Sequence, residues 1–134
     1  MEHKTYGDFV YEAQDNGEIH IFKYKGDSEE IIVPGYIDGM PVTRINNFSF
    51  AYNLSPESIT IPESVTEIGV CAFGGCASLS GVTLPAGLKN IGFFAFRGCS
   101  ALASVTIPEG VAEIEQGTFA DCASLASLTI PASV

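Results

Sequence analysis

The sequence predicts an α/β-type solenoid: short parallel strands stack, short helical or 3₁₀ turns join them, and a β-hairpin caps the N-terminus. The main observation is a period of 23 residues shared by several columns of side chains. These columns are Pro62, Pro85, Pro108 and Pro131; Phe50, Phe73, Phe96 and Phe119; Ile45, Ile68, Ile91 and Ile114; and Thr60, Thr83, Thr106 and Thr129. The other observations are apolar residues at period two before each proline, and the proline itself, which ends a strand because it cannot donate to the ladder. A fixed period of this length is typical of stacked repeats.

Residues 1–30 lack the period and are predicted to form the capping hairpin. Apolar stretches at residues 9–11 and 19–22 flank Asn16-Gly17, a pair that favours a tight turn because both residues tolerate positive φ. The alternation leaves the facing of the second strand open, since Ile19 and Ile21 lie on one side and Phe22 and Tyr24 on the other.

Residues 31–134 are predicted to form about four coils and a partial fifth. The first coil carries a five-residue insertion at residues 36–40, where Asp38-Gly39 predicts a turn. The next coil has Pro56 in the column of Leu79, and Leu54 is expected to turn inward to compensate.

One coil illustrates the expected geometry. Val82 and Leu84 point inward around an outward Thr83, and Pro85 ends this strand. Ala95-Phe96 then forms a short helical or 3₁₀ turn that packs its ring beneath the coil.

A second set of columns predicts an interior ladder. Its members are Asn53, Cys76, Cys99 and Cys122, beside Phe50, Phe73, Phe96 and Phe119. Free Cys behaves as a small buried hydrophobe, so free thiols are the favoured interpretation. A disulfide between neighbouring coils is the first alternative, because strand spacing permits it. A metal site is the second, although a linear ladder without nearby His does not suit tetrahedral ligation.

Composition excludes several function classes. Sixteen acidic against six basic residues give a net charge of −10, which repels nucleic acid and anionic membranes. No apolar run is long enough to insert in a membrane, and no secretory signal precedes the hairpin. The sequence contains no phosphate loop, nucleophile elbow or ligand-like pairing of His3 and His20. We therefore expect no enzyme activity, no cofactor and no metal.

The repeat resembles the BspA-like, or Treponema-type, leucine-rich repeats of bacterial surface proteins. The resemblance rests on Ile61-Pro62-Glu63-Ser64-Val65-Thr66-Glu67-Ile68-Gly69, then Ala72-Phe73, Cys76 and Ser78-Leu79, which recur from Leu84-Pro85 and from Ile107-Pro108. The opening Val33-Pro34, Ile37-Asp38-Gly39 and Pro41-Val42-Thr43 is similar to that family's usual first repeat. The resemblance implies a curved solenoid that binds a protein or glycoprotein partner and is extracellular or displayed on the cell surface. A cytoplasmic location is the alternative.

The candidate contact surface is formed by the outward side chains of the stacked strands. They are Ser58, Thr60, Ser80, Thr83, Ser104, Thr106, Ser127 and Thr129. The threonines also have a structural interpretation, because β-branched residues favour strands and neighbouring hydroxyls pair. The face measures on the order of 200–400 Å², against about 800 Å² per partner in a standard interface, so it predicts weak binding unless other segments contribute.

An alternative function is a structural spacer or self-assembly module, as in a fragment of a longer solenoid. The last coil begins at Leu125 without a polar cap, although terminal repeats normally need one. A longer native chain, a frayed last coil and end-to-end self-association are the three explanations.

Overall fold

The computed structural model describes residues 2–134, which wind into a solenoid of three-sided coils. A first side carries one strand of each coil, a second side carries a shorter strand, and a third side is a stack of turns. The strands of the described chain are β1 Lys4–Tyr6, β2 Phe9–Ala13, β3 Ile19–Tyr24, β4 Glu30–Ile32, β5 Tyr36–Ile37, β6 Met40–Ile45, β7 Ser58–Thr60, β8 Glu67–Ile68, β9 Gly81–Thr83, β10 Asn90–Ile91, β11 Ser104–Thr106 and β12 Ser127–Thr129.

The first side consists of two parallel sheets. β4, β7 and β9 form one, with Ile31, Ile59 and Val82 in register, and β11 and β12 form the other. Coils are numbered from these strands, so coil three is residues 81–103 and coil four is residues 104–126. The expected parallel stack is therefore present, with a break between coils three and four.

The second side is a mixed sheet in the order β1-β2-β3-β6-β8-β10, with β5 paired to β6. β2 and β3 form the predicted antiparallel hairpin, and Gly17 at φ 84° lies in its turn. β3 also pairs in parallel with β6, so the second hairpin strand already lies in the solenoid sheet.

A β-bulge explains which side chains of the second hairpin strand face the core, a point that the sequence left open. The pairing of β2 with β3 passes from Val10–Lys23 to Tyr11–Ile21 and skips Phe22. One extra residue shifts the alternation, so that Tyr24 joins Ile21 in the core while Phe22 is exposed.

The predicted turn at Asp38-Gly39 is confirmed. Both residues have positive φ, at 52° and 76°, and they join β5 to β6 as an antiparallel hairpin. The expectation for Leu54 is wrong, because its side chain is 65% exposed. Pro56 is itself buried and fills the position of the missing leucine.

The expected helical or 3₁₀ turns are also wrong, since the described chain contains no helix. On the third side, Ala95 and Arg97 donate their N–H groups within their own turn, to Gly92 and Phe94. The residues that alternate with them donate to carbonyls of the next coil: Phe94 to Gln116, Phe96 to Thr118 and Gly98 to Ala120. A helix needs consecutive bonds of the first kind.

The backbone torsions give the reason for this turn geometry. Positive φ recurs at two positions of every turn, namely Phe48 and Tyr52, Cys71 and Gly75, Phe94 and Gly98, and Gly117 and Asp121. An α- or 3₁₀-helix holds φ negative throughout, so the chain turns repeatedly without winding into one.

The core runs as columns along the solenoid axis. Phe50, Phe73 and Phe96 are buried, with ring centroids 5.1 and 5.3 Å apart. Phe119 continues the stack at 5.7 Å, and Tyr24 begins it at 5.4 Å from Phe50. This aromatic spine ties the N-terminal hairpin to the repeats.

Candidate partner-binding surface

The first side presents two rows of small side chains, which we call the hydroxyl face. Strand pairing aligns Glu30, Ser58 and Gly81 in the first row, and Ile32, Thr60 and Thr83 in the second. Beyond β9, it aligns Ser104 with Ser127 and Thr106 with Thr129, which continue the two rows. Except for Ser58 and Gly81, which are half-buried, these residues are exposed. Most of the residues expected on this surface thus lie side by side.

Ser80 is the exception. Gly81, not Ser80, is in register with Ser58, so Ser80 precedes the strand. Its hydroxyl donates to the carbonyl oxygen of Glu57 at 3.1 Å. Ser80 therefore lies outside both rows and links two coils.

A groove of about 550 Å³ crosses the hydroxyl face between β9 and β11. In the part of the chain that the structure describes, no strand pairing joins these two strands, whereas β7–β9 and β11–β12 pair in register. Thr83, Ser104 and Thr106 line the groove together with the apolar Val82, Leu84 and Val105. Three predicted surface residues thus meet at a concavity that the sequence analysis missed.

A column of residues at the corner between the second and third sides explains why β9 and β11 do not pair. Gly69 and Gly92 occupy it in coils two and three, and Glu115 occupies it in coil four. A Cβ at Gly92 would lie 2.6 Å from the backbone nitrogen of Val70 and 2.7 Å from the carbonyl carbon of Gly69. Real Cβ atoms do not approach backbone so closely. Coil four therefore cannot stack on coil three as coil three stacks on coil two.

The second side shows the same break. Gly92 donates its N–H to the carbonyl of Ile68 at 2.8 Å, but in the described chain Glu115 makes no equivalent bond to Ile91. Ile114 is only partly buried, whereas Ile91 is buried. The coils stay bonded along the third side, for example from Phe96 to Thr118 at 2.9 Å.

A charged network covers the second side near the hairpin, and the sequence analysis also missed it. Arg44 pairs with Glu67 and donates to the side-chain oxygens of Asn46 at 3.1 Å and Asn47 at 3.3 Å. The Asn47 oxygen also accepts the backbone N–H of Val70 at 2.8 Å. The sequence did carry a signal for this network. Arg44 and Glu67 have opposite charges and are one period of 23 residues apart, which places them in neighbouring strands. The network already satisfies its members and links coils one and two.

The cysteine column lies inside the third side. The thiols of Cys76, Cys99 and Cys122 donate to the carbonyl oxygens of the phenylalanines one coil back, Phe50, Phe73 and Phe96, at 3.1–3.2 Å. All the cysteines are free, and Cys76 and Cys99 are fully buried. Asn53 occupies the first rung, where its amide donates to the Gly26 carbonyl at 3.1 Å.

Burial sets the chemistry of these thiols. It raises the pKa of Cys76 to about 12, and it also raises the pKa values of Cys99 and Cys122. A thiol that stays protonated is a poor nucleophile and a poor metal ligand. The column is therefore suited to packing.

No group of three or more metal-ligating side chains occurs among residues 2–134. His20 lies on the outward side of β3, where burial and the positive charge of Arg44 lower its pKa. No helix of the described chain is long and apolar enough to cross a membrane.

Comparisons of this chain with family models and with solved structures indicate the same family. A model of the BspA type leucine rich repeat region matches residues 20–134 in six copies. A leucine rich repeat protein from T. pallidum is 30% identical, with 97% of this chain and 72% of that chain covered and a TM-score of 0.78. A leucine-rich repeat protein from Bacteroides capillosus is 27% identical, with 95% and 96% covered and a TM-score of 0.85.

One structure carries a description of location. A leucine rich cell surface protein from Faecalibacterium prausnitzii is 32% identical, with all of this chain but 44% of that chain covered and a TM-score of 0.80. No curated protein matches the chain.

Proposed function

Because the chain belongs to the BspA type leucine-rich repeat family, we propose that it is a non-enzymatic module that binds a protein or glycoprotein partner through the hydroxyl face, at a bacterial cell surface. The observation that carries the proposal is the pair of exposed Ser and Thr rows, which strand pairing aligns on each side of a groove that crosses them. The cell-surface location is supported by the description of the F. prausnitzii relative.

The physical case rests on a surface that a partner can approach closely. Small side chains on flat strands leave the backbone and hydroxyl groups within reach, and each hydroxyl both donates and accepts. The exposed Ile32 lies beside Thr60 and adds apolar area at one end. The groove adds concave surface, which the flat rows alone lack.

The test has two stages. The immobilised chain is first exposed to a host matrix extract and to a bacterial lysate, and the retained protein is identified by mass spectrometry. The affinity of that protein is then measured for the wild type and two matched variants, Thr83→Lys and Asn90→Lys. Both positions are exposed strand residues of coil three, on the first and second sides respectively.

We expect Thr83→Lys to weaken binding about tenfold or more, because a bulky charge is placed where the partner must pack, and Asn90→Lys to leave it unchanged. Equal losses in both variants, or a loss in Asn90→Lys alone, would contradict the assignment of the face. If the only protein retained is the chain itself and its mass rises with concentration, a self-assembling spacer is the better account.

A further inference from the structure

We propose that the free edge of β4 takes an extended, basic polypeptide segment, which adds one strand to the sheet of β4, β7 and β9. This inference rests on the proposed function and deepens it, because it names where the partner's backbone meets the hydroxyl face. Three features of this edge support it: its backbone groups, the space beside it and its charge.

β4 is paired on one side only. It joins β7 in parallel, and no other strand of the described chain pairs with it. Val33 donates its N–H to the carbonyl of Thr60 at 3.0 Å, so its backbone faces β7. Successive residues of a strand direct their backbone groups to opposite neighbours, so those of Ile32 and Glu30 point away from β7. Outside the β4–β7 pair, the described chain makes no backbone hydrogen bond to Glu30 or Ile32.

The N-terminal hairpin leaves this edge uncovered. β2 pairs with β3, so the hairpin extends the sheet of the second side and not that of the first. A cleft of about 210 Å³ lies between the β1–β2 turn and β4, and its lining includes Tyr6, Gly7, Glu30 and Ile32. All four residues are exposed. An extended chain can therefore approach the edge from solvent.

The free edge of β4 has the properties of a template for an extended chain. Its two outward residues offer about two to four backbone hydrogen bonds to such a chain. The apolar side chains of Ile32 and Tyr6 border the cleft and provide contacts for alternate side chains of the added strand. Because Ile32 is in register with Thr60, the added strand would lie directly beside the hydroxyl face.

Charge selects among extended chains. Asp8 and Glu30 line the cleft, and Asp27, Glu29 and Glu57 line a second depression where β4 and β7 begin. No Lys, Arg or His is among the described residues that line either of them. A second copy of this chain would bring the same acids to the edge, and an acidic segment would be repelled in the same way. A segment with Lys or Arg beside its apolar residues is therefore favoured.

Proline at position 32 removes the edge without changing the core. Ile32→Pro deletes an N–H that points away from β7, and proline is tolerated on an edge strand where that group faces solvent. The side chain of Ile32 is 66% exposed, so no buried contact is lost. Ile32→Val keeps the N–H and is the matched control. Urea unfolding compares the stability of the two variants, and modified peptides test the same bonds on the unchanged protein.

The probe is a fluorescein-labelled peptide of alternating Thr and Val with a Lys at each end, so that either strand direction places one Lys beside the acids. Three versions are titrated by fluorescence anisotropy: the peptide itself, the same sequence with N-methyl groups on two adjacent central residues, and a version with Glu replacing Lys. Two adjacent N-methyl groups block both backbone edges of the peptide. Amide chemical shifts of the labelled protein locate the contact.

We expect the Lys peptide to bind and to shift the amides of Glu30 and Ile32. N-methylation should weaken binding about tenfold or more, because backbone hydrogen bonds are lost while the side chains stay. Ile32→Pro should weaken binding of the Lys peptide by a similar factor, and Ile32→Val should bind it about as well as the wild type. The Glu version should also bind about tenfold more weakly or worse, because the acids repel it.

Four results would each overturn the inference: no binding of the Lys peptide, equal binding of the N-methylated peptide, shifts confined to another surface, or equal binding by Ile32→Pro and Ile32→Val. A wild-type mass that rises with concentration and stays constant in Ile32→Pro would assign the edge to a second copy of the chain and overturn the assignment to a basic segment.

A failure here is distinguishable from a failure of the proposed function. If Thr83→Lys abolishes binding of the identified partner while Ile32→Pro binds it normally, the hydroxyl face is correct and the strand-addition site is wrong. If Ile32→Pro loses the partner while Thr83→Lys binds it normally, the strand-addition site is correct and the hydroxyl face is wrong.

Discussion

Glycine has two different roles in this chain at the scale of single residues. Gly92 is required by space, because the backbone of Val70 occupies the place of its side chain. Gly81 has no atom within 4 Å of the Cβ position, and its φ lies outside the left-handed region. Nothing in the fold thus requires glycine at position 81, and it only interrupts a row of serines.

The two glycines give the first prediction. Gly92→Ala should lower the free energy of unfolding by about 1–3 kcal/mol, because the methyl group must push two backbones apart. Gly81→Ala should instead raise it by about 0.4–1 kcal/mol, because the unfolded chain loses freedom and nothing is displaced. Urea unfolding of both variants measures the difference. Similar losses in the two variants would show that close coil approach is not what position 92 requires.

The buried thiols give the second prediction, which concerns pH. Burial raises the pKa of Cys76 from its ordinary value of about 9 to about 12 in the folded chain. A raised pKa means that the stabilisation is fully present below pH 9 and is lost as pH rises toward 12, because the unfolded chain releases the proton first.

The wild type should therefore lose stability between pH 9 and pH 12 more steeply than Cys76→Ala. The difference in slope should be about 1 kcal/mol per pH unit, the effect of one titrating group. Cys99 and Cys122 remain in both proteins, so the removal of the Cys76 thiol is the change that the comparison measures. Urea unfolding across this pH range makes the measurement, and parallel curves would mean that Cys76 titrates alike in the folded and unfolded chain.

At the scale of elements, the aromatic spine joins parts of the chain that differ in sequence. Tyr24 of β3 stacks on Phe50, and its ring also lies 5.1 Å from that of Phe9 in β2. The hairpin thereby packs its own aromatic residues on the first repeat ring. Each inner ring has neighbours on two sides, whereas Phe119 stacks on Phe96 from one side.

The third prediction follows from this gradient. Phe73→Ala should cost about 3–5 kcal/mol, because it removes a buried ring between two others. Phe119→Ala should cost about half as much or less, because its ring is only partly buried and less apolar area is lost. Denaturant unfolding of the two variants tests the order, and a larger loss at Phe119 would contradict it.

The elements also show what the sequence can and cannot predict. Columns such as Phe50 to Phe119 identified the coils, because a strict period leaves each column only one place in a stacked coil. The turns were wrongly predicted as helical because their left-handed positions hold Phe48, Cys71 and Phe94. Glycine occupies only some of the left-handed positions, namely Gly75, Gly98 and Gly117, so the sequence gives no consistent signal for positive φ.

Two features of the candidate site could not be predicted from the sequence, for equally local reasons. Ser80 lies just before β9, and only the strand pairing shows that Gly81 is the residue in register with Ser58. The groove depends on Glu115 replacing a glycine in one column. The substitution is readable in the sequence, but its effect requires knowing how closely Gly92 approaches the previous coil.

At the scale of the whole molecule, stability is distributed from coil to coil. A solenoid is held by the interface between neighbouring repeats, and loss of ladder hydrogen bonds at one interface weakens that interface alone. Between coils three and four, the first and second sides have lost their ladders while the aromatic spine and the bonds of the third side persist. The groove that crosses the hydroxyl face therefore lies at the least bonded interface.

Amide hydrogen exchange tests this central claim most directly, as the fourth prediction. In the wild type, the amides of Val82 and Thr106 should exchange fast, because they face the groove, while Gly81 and Ser127, bonded to neighbouring coils, should exchange slowly. Glu115→Gly restores the glycine column of Gly69 and Gly92, so Val82 and Thr106 should become protected in that variant as the ladder closes. They should not become protected in Glu113→Gly, a control two residues away and outside the column. Slow exchange of Val82 and Thr106 in the wild type would contradict the account, because β9 and β11 would then already be paired and the break between coils three and four would not exist.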